Sequence, residues 1–363
     1  MRKKITVAVL PLKGNGYFQI INQCIEDYGC ELVDYGVFMR SLRYLWRTKI
    51  VFLSFFEEFS VESKKDFLSF WIQLMRKLGA VILMKMVRCK IVVIMHNELS
   101  HDQDQFRKYK KFIYKFIFIA ADRIVIMCNE SKNAINRLFK NADPIIRKTF
   151  KILHPEYSSI YGQKHIFDFR KANGINEEDI VLMCFGQIRP YKQIECLVDV
   201  AKMLPGNVKI VVLGTGPDKQ YVEQIEKKGQ RISNFIFINK YIEDYDVENY
   251  FKMVDAFILP YSEGSLNSGV VMTAFTYGKP VICSKIGTIG EFPSHFTFLY
   301  EESSSYEVKK VNLLSAIERY IRFRNDNNTR ETERHNIHIV RELCSTEKTK
   351  ERIYCLMDEL MQV

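Results

Sequence analysis

Three short stretches put small or cationic residues directly after apolar runs. They are Gly186-Gln187-Ile188-Arg189-Pro190-Tyr191-Lys192, Gly214-Thr215-Gly216 and Glu263-Gly264-Ser265-Leu266-Asn267-Ser268-Gly269. An arginine such as Arg189 can grip a phosphate with two parallel N–H donors, and a lysine such as Lys192 acts as a point charge. Gly214 and Gly216 leave the backbone free to approach a ligand, although Gly-x-Gly also suits a plain turn. The third stretch precedes VVMTAFTYG, which reads as a short helix. Backbone N–H groups at a helix start attract anions, while the same Ser and Asn could serve as an ordinary N-cap. Each stretch alone also reads as a surface loop. Their order and their strand-end positions make the combination a candidate diphosphate site.

A second group lies in the first half. The segment HNELSHD (96–102) follows an apolar run and holds two histidines with Asn, Glu and Asp. A His-x4-His spacing in a loop is not the helical arrangement of a zinc site, and no third ligand set is evident. A sugar- or phosphate-binding loop with His96 as a proton-handling group fits better. Glu57 and Glu58 also end an apolar run, as solvated loop residues or as a site acid. Lys13-Gly14-Asn15-Gly16 forms a turn before a helical stretch.

The elements that must hold these groups alternate. Strand-like runs appear at 5–10, 50–56, 89–95, 122–127 and 151–154, then at 180–186, 208–214, 235–239, 256–261 and 279–284. Helical segments separate them, which predicts parallel sheets covered on both faces. In such sheets ligands bind beyond the C-terminal strand ends, where the polar stretches fall. From about 311 onward the spacing is helical, with NDNNTRETER as a polar interruption.

The chain has 363 residues, 47 % hydrophobic and 26 % charged, so it is globular and long enough for two domains. No apolar run is long enough to span a membrane, because Lys85, Arg88 and Lys90 interrupt the best candidates. The N-terminus reads as a strand rather than a signal sequence. Nine scattered cysteines without a Cys-x-x-Cys pair predict a reduced chain with neither disulfides nor zinc. A net charge of +10 favours an acidic partner. No nucleic-acid motif accompanies it. The stretch FRKYKKFIYKFIF (106–118) interleaves Arg107, Lys108, Lys110, Lys111 and Lys115 with aromatics. It reads either as a peripheral contact with an anionic membrane or as an amphipathic helix that packs Phe112, Phe116 and Ile119 inward.

Taken together, FGQIRPYKQIECLVDVAKML, VKIVVLGTG and YIEDYDVENYFKMVDAFILPYSEGSLNSGVVMTAFTYGKPVI resemble glycosyltransferase family 4 of the GT-B class, in particular bacterial members that build capsular, exo- or O-antigen polysaccharide. GNGYF, SFFEE, HNELSHD and HPEY look like N-terminal motifs of one subgroup. The resemblance covers about residues 1–295. It implies an α/β fold of two doubly wound Rossmann-like domains facing a cleft. Residues 1–160 would form the acceptor domain, 161–340 the donor domain, and 341–363 a helix returning to the first. Arg189 and Lys192 would neutralise the diphosphate of a nucleotide sugar, with His96 and Glu57 as the remaining catalytic candidates. Gly14, Gly16, Gly214, Gly216, Ser265, Asn267, Ser268 and Gly269 would bind the donor. The family's commonest loop has two glutamates, and here Ser265 and Thr273 stand at those positions. Glu263 is the candidate replacement, and Glu291 a further nucleotide contact.

The resemblance further implies metal-independent transfer, without a cofactor, to a glycan or lipid-linked acceptor in bacterial surface polysaccharide synthesis. The enzyme would be a hexosyltransferase, cytoplasmic or peripheral at the inner membrane face. The alternatives are a nucleotide-sugar 2-epimerase of the same fold and a non-catalytic membrane-associated assembly subunit.

Overall fold

The structure is a computed structural model that describes residues 4–59, 67–98, 107–162, 164–165, 167–261 and 265–362. It divides into two compact units, Met1–Pro155 with Thr346–Val363, and Glu156–Ser345. The divisions fall a few residues from the 160 and 340 read from the sequence.

The first unit runs β1 (Thr6–Leu10), α1 (Gly16–Asp27), β2 (Glu31–Asp34), α2 (Tyr35–Arg40), α3 (Leu42–Arg47), β3 (Thr48–Ser54), α4 (Phe67–Met86), β4 (Lys90–Ile94), α5 (Arg107–Ala120), β5 (Arg123–Ile126), α6 (Glu130–Leu138), α7 (Asp143–Ile146) and β6 (Thr149–Lys151). The second runs α8 (Phe169–Ala172), β7 (Ile180–Phe185), α9 (Ile194–Ala201), β8 (Val208–Gly214), α10 (Lys219–Gly229), β9 (Phe235–Asn239), α11 (Val247–Phe251), β10 (Ala256–Leu259), α12 (Gly269–Thr276), β11 (Val281–Cys283), β12 (Thr297–Leu299), α13 (Tyr306–Asp326) and α14 (Thr329–Cys344). The chain then returns to the first unit as α15 (Thr346–Gln362). There α15 packs on α1, with Lys350 Nζ 2.6 Å from Asp27 and the Tyr28 hydroxyl donating to Asp358 at 2.5 Å. Where the second unit begins and ends, the Glu156 N–H donates to the Cys344 carbonyl at 2.9 Å.

Each unit is built on one six-stranded sheet, in the orders β2-β1-β3-β4-β5-β6 and β12-β11-β10-β7-β8-β9. Every pairing is parallel. The fold is therefore GT-B in architecture, two doubly wound Rossmann-like units. Central strands such as VFLS of β3 and VLMC of β7 are buried residue after residue, as a sheet covered on both faces requires. The two strands missed in the sequence, β2 and β12, are short edges. ELVD carries two carboxylates and TFL stays half exposed, so neither shows an apolar run. The polar interruption in the tail shrinks to Asn327 and Asn328, and the Asn328 side chain caps α14 by accepting from the Glu331 N–H at 3.3 Å.

Strand order reverses between β1 and β3 in one sheet and between β7 and β10 in the other. A crevice opens at such a switch point, beyond the carboxyl ends of the two strands. In the second unit these ends carry the Gly186–Lys192 loop and the loop leading into α12.

Candidate functional site

The β7 loop starts with a left-handed Gly186 (φ +98°), whose N–H donates to the Leu213 carbonyl at 3.0 Å. The β8 loop lies directly against it. A Cβ at Gly214 would sit 2.0 Å from the Gly186 carbonyl oxygen, and one at Gly216 would sit 2.2 Å from that of Ile188. The sequence reading assigned these glycines to ligand approach. The structure gives them a nearer cause, since two loop backbones touch where no side chain fits.

Lys192 closes a 3-10 turn over Pro190–Lys192 and is only 4 % exposed. Its ammonium donates to the Phe185 carbonyl at 3.3 Å and stands 5.5 Å from the ring centre of Tyr261. It also lies 3.4 Å from where a Gly186 Cβ would be. Burial holds its pKa below the ordinary lysine value, and the nearby charge of Arg189 adds to the effect. Arg189 is half-buried, with Nε donating to Gln187 Oε1 at 2.9 Å. Among the described residues neither cation forms a salt bridge with a carboxylate. A buried cation without a counter-ion is costly, and an anionic ligand would remove that cost.

The α12 start adjoins the same point. Ser268 is its N-cap, with Oγ accepting from the Val271 N–H at 3.4 Å and its carbonyl accepting from Met272 at 3.2 Å. That leaves the Gly269 and Val270 N–H groups without a hydrogen-bond partner among the described residues. The Val270 side chain comes within 3.7 Å of a Cβ position on Gly186. Among the described residues a Cβ on Gly269 would meet only the Tyr157 hydroxyl, at 3.4 Å.

The remaining loop residues brace the turn. Asn267 Oδ1 accepts from the Thr288 hydroxyl at 2.8 Å, and Ser265 Oγ donates to the Asn267 carbonyl at 2.7 Å. The Gly287 and Thr288 N–H groups donate to the carbonyls of Ser265 and Leu266, each at 2.8 Å. Glu291 ends the 3-10 turn that supplies those donors. Thr273 is buried inside α12 and donates to the Gly269 carbonyl at 2.8 Å. Glu263 lies outside the described residues.

A cavity of about 430 Å³, within the range of small-ligand sites, is lined in part by the β7 loop, and neither Lys192 nor the α12 start is among its lining residues. Gly186, Gln187 and Arg189 form one wall and the Gly214–Pro217 loop another. Lys240, Tyr241, Ile242 and Asp244 form the third. Sequence reasoning missed this last wall. Its signal was available, because these residues follow the strand run FIFIN just as the other two loops follow theirs.

In the first unit, Gly14 and Gly16 stand at the start of α1, and a Cβ on Gly14 would strike the Phe18 ring at 2.6 Å. Neither is among the residues lining the cavity of the second unit. His96 follows β4, stacked on Phe55 and packed edgewise on Tyr17 with ring centres 5.2 Å apart. Burial, reinforced by His154, pushes its pKa down to about 3, and burial takes His154 to about 4. Both imidazoles are neutral near pH 7. Glu57 is pushed up to about 7, mainly by burial.

The 106–118 stretch needs two corrections. Lys110 is buried and paired with Glu58 at 2.9 Å, so it cannot face lipid. Phe112 and Ile119 are 52 % and 60 % exposed rather than packed inward, because Ile113, Tyr114, Ile117 and Phe118 form the buried face of α5. The segment 99–106, with the second histidine of HNELSHD, lies outside the described residues. Among the described residues no group of three or more His, Cys, Asp or Glu could hold a metal, and no helix is long and apolar enough to cross a membrane.

No curated relative matches the sequence. Solved structures resemble it over nearly the whole chain at low identity. The Anabaena protein HepE, in complex with UDP, has a TM-score of 0.70 at 14 % identity, covering 98 % of this chain and 100 % of that one. Sucrose-phosphate synthase from Thermosynechococcus elongatus has a TM-score of 0.72 at 14 % identity, covering 99 % and 100 %. WaaG, a glycosyltransferase involved in lipopolysaccharide biosynthesis, has a TM-score of 0.59 at 14 % identity, covering 96 % and 99 %. Residues 165–328 match the family Glycosyl transferases group 1. That span lies wholly within the second unit, which therefore carries a glycosyl transferase group 1 domain.

Proposed function

We propose that the protein is a glycosyltransferase that moves a sugar from a nucleotide-diphosphate sugar to a glycan or lipid-linked acceptor in bacterial surface polysaccharide synthesis. The observation that carries this reading is the buried, uncompensated Lys192 beside Arg189, at a switch point that also receives the α12 N-terminus. In the reaction the bond from the anomeric carbon to the diphosphate breaks, and negative charge grows on the leaving phosphate. Lys192, Arg189 and the Gly269 and Val270 N–H groups are donors for that charge. Preorganised donors of this kind stabilise a leaving group where charge develops, and the helix start adds its dipole.

In this reading the nucleoside lies along the Lys240–Ile242 wall, where Tyr241 and Ile242 offer apolar surface. The complexes of HepE with UDP and with UDP-glucose favour a uridine donor and a hexose. Neutral His96 and Glu57, at the ends of β4 and β3, are the groups available on the acceptor side. Metal-independent transfer is expected, since protein groups already supply the positive charge. Docking to anionic lipid through α5 would bring a lipid-linked acceptor within reach, with Phe112 and Ile119 as the exposed apolar residues on the helix that carries Lys108 and Lys111.

The test is nucleotide release from a panel of sugar nucleotides, with and without acceptor glycolipid and with EDTA. Acceptor-dependent release that survives EDTA supports metal-independent transfer. Sugar interconversion without release supports the epimerase. Absence of sugar-nucleotide binding supports the assembly subunit.

A further inference from the structure

Lys309, on α13, is 1 % exposed and is not among the residues lining the cavity described above. Its ammonium donates to the carbonyls of Pro260 at 2.8 Å and Tyr261 at 3.3 Å, and to the side-chain oxygen of Gln193. Glu302, 2.8 Å away, balances the charge. An ammonium has three protons to give, and here three acceptors outside the carboxylate belong to loops rather than to core strands.

Those loops are the two that carry the phosphate-binding groups. Gln193 directly follows Lys192 and is held in the left-handed region at φ +47°, which a residue with a side chain rarely adopts. Pro260 and Tyr261 directly follow β10 and open the loop into α12. The Tyr261 ring faces the Lys192 ammonium, and its hydroxyl lies close enough to the side chain of Ser268, the α12 N-cap, to feel it electrostatically. One buried cation thus ties the residue beside Lys192 to the residue that contacts both Lys192 and Ser268.

We propose that Lys309 is a positioning residue for the diphosphate site, fixing the β7 loop against the β10 loop and so setting the distance between the Lys192 ammonium and the α12 N-terminus. The inference rests on the reading of this site as a nucleotide-sugar site. Stability alone is a poor reason for a buried ion pair, because well-packed apolar residues of similar volume commonly do as well. A pair retained to hold two loops in register has a different signature, since its loss harms the ligand group that needs both loops.

The experiment first measures, by calorimetry, binding of UDP, GDP, ADP and dTDP and of the matching nucleosides to the wild-type protein. The best diphosphate and its nucleoside are then titrated into Lys309→Met/Glu302→Gln, which removes both charges and leaves neither partner stranded, and into Gln193→Gly. The latter deletes one acceptor while suiting the left-handed backbone. We expect diphosphate affinity to fall at least tenfold in the double variant and several-fold in Gln193→Gly, with nucleoside affinity within twofold of wild type in both. Equal loss for nucleoside and diphosphate, or an unchanged diphosphate affinity, overturns the positioning role. If the double variant does not fold, Gln193→Gly decides by the same criteria. A wild-type protein that binds none of the four diphosphates overturns the nucleotide-sugar reading and this inference with it, whereas wild-type binding with indifferent variants overturns this inference alone.

Discussion

The Phe55 ring stacks on the His96 imidazole, with centroids 4.3 Å apart and planes within 13° of parallel. Phe55 reaches that position with φ at +53°, an outlier for a bulky side chain and a feature that concentrates at functional sites. The stack helps keep water from His96, and burial keeps the ring uncharged.

A pH dependence follows. His96 and His154 have folded pKa values of about 3 and 4, below the ordinary 6.5. As pH falls through 6.5 the unfolded chain takes up these protons first, so stability is lost between pH 6.5 and about 4. Glu57, raised to about 7, works oppositely and gains stability as pH falls from 7 to 4.5. Two protons outweigh one, so the net loss should be roughly 1 kcal/mol per pH unit below 6.5. Urea melts at pH 7 and pH 5 measure it. A His96→Phe/His154→Phe variant should reverse the slope, and a wild-type chain equally stable at both pH values would contradict the assignment of neutral, buried histidines.

Removing either phosphate-site cation should cost on the order of 2–4 kcal/mol of transition-state stabilisation, as for other oxyanion donors. Lys192 must be tested as Lys192→Met rather than Lys192→Ala. The sequence reading put both cations on an open loop, but Lys192 is buried, and alanine would leave a cavity. Lys192→Met should melt no lower than wild type while turnover collapses, and Arg189→Ala should slow turnover similarly. Normal rates in both purified variants would sink the diphosphate assignment.

Gly269 separates a ligand cradle from a helix cap. Among the described residues a Cβ there meets only the Tyr157 hydroxyl, at 3.4 Å, so Gly269→Ala and Gly269→Val should fold, with stability changed by about 1 kcal/mol or less. If the diphosphate sits on the N–H groups at this position, Gly269→Val should weaken UDP binding at least tenfold and Gly269→Ala less. Wild-type affinity in the valine variant would leave the turn as a cap alone.

Vesicle co-sedimentation checks the α5 surface. Lys108, Lys111 and Phe112 are exposed, while Lys110 is not. Each exposed lysine should contribute roughly 1 kcal/mol near an anionic surface, with salt weakening the attraction. Lys108→Gln/Lys111→Gln should pellet less with anionic vesicles than wild type, and adding Phe112→Ser should lower binding further. Equal binding of all three proteins would exclude this face.

Sequence patterns revealed most of the second unit because its central strands are short, mostly apolar runs separated by helices. FIFIN coincides with β9 from first residue to last. Edges were lost where exposure removes the apolar signal, as in ELVD. The site was legible in its charges and glycines but not in its geometry. Nothing in the local pattern shows that Lys192 is buried, because the Tyr261 ring beside it lies nearly seventy residues further on. Lys309 carried no signal at all, since a lysine in a helix reads as solvent-facing until the helix is packed. In α5, helical spacing identifies an apolar stripe but not where it ends, so the packing alternative puts Phe112 and Ile119 inward, where the structure leaves both exposed.

The backbone bond from Glu156 to Cys344 has a consequence for engineering. The second unit is one uninterrupted segment whose two ends meet, so it is an insertion with adjacent seams rather than half of a linear tandem. Such a segment can be lifted out and exchanged as a cassette with two joins, at 155/156 and 345/346, in the way domain insertions are tolerated where termini lie close together. A chimera built at these seams would join the second unit of one chain to the first unit of another without cutting through either sheet.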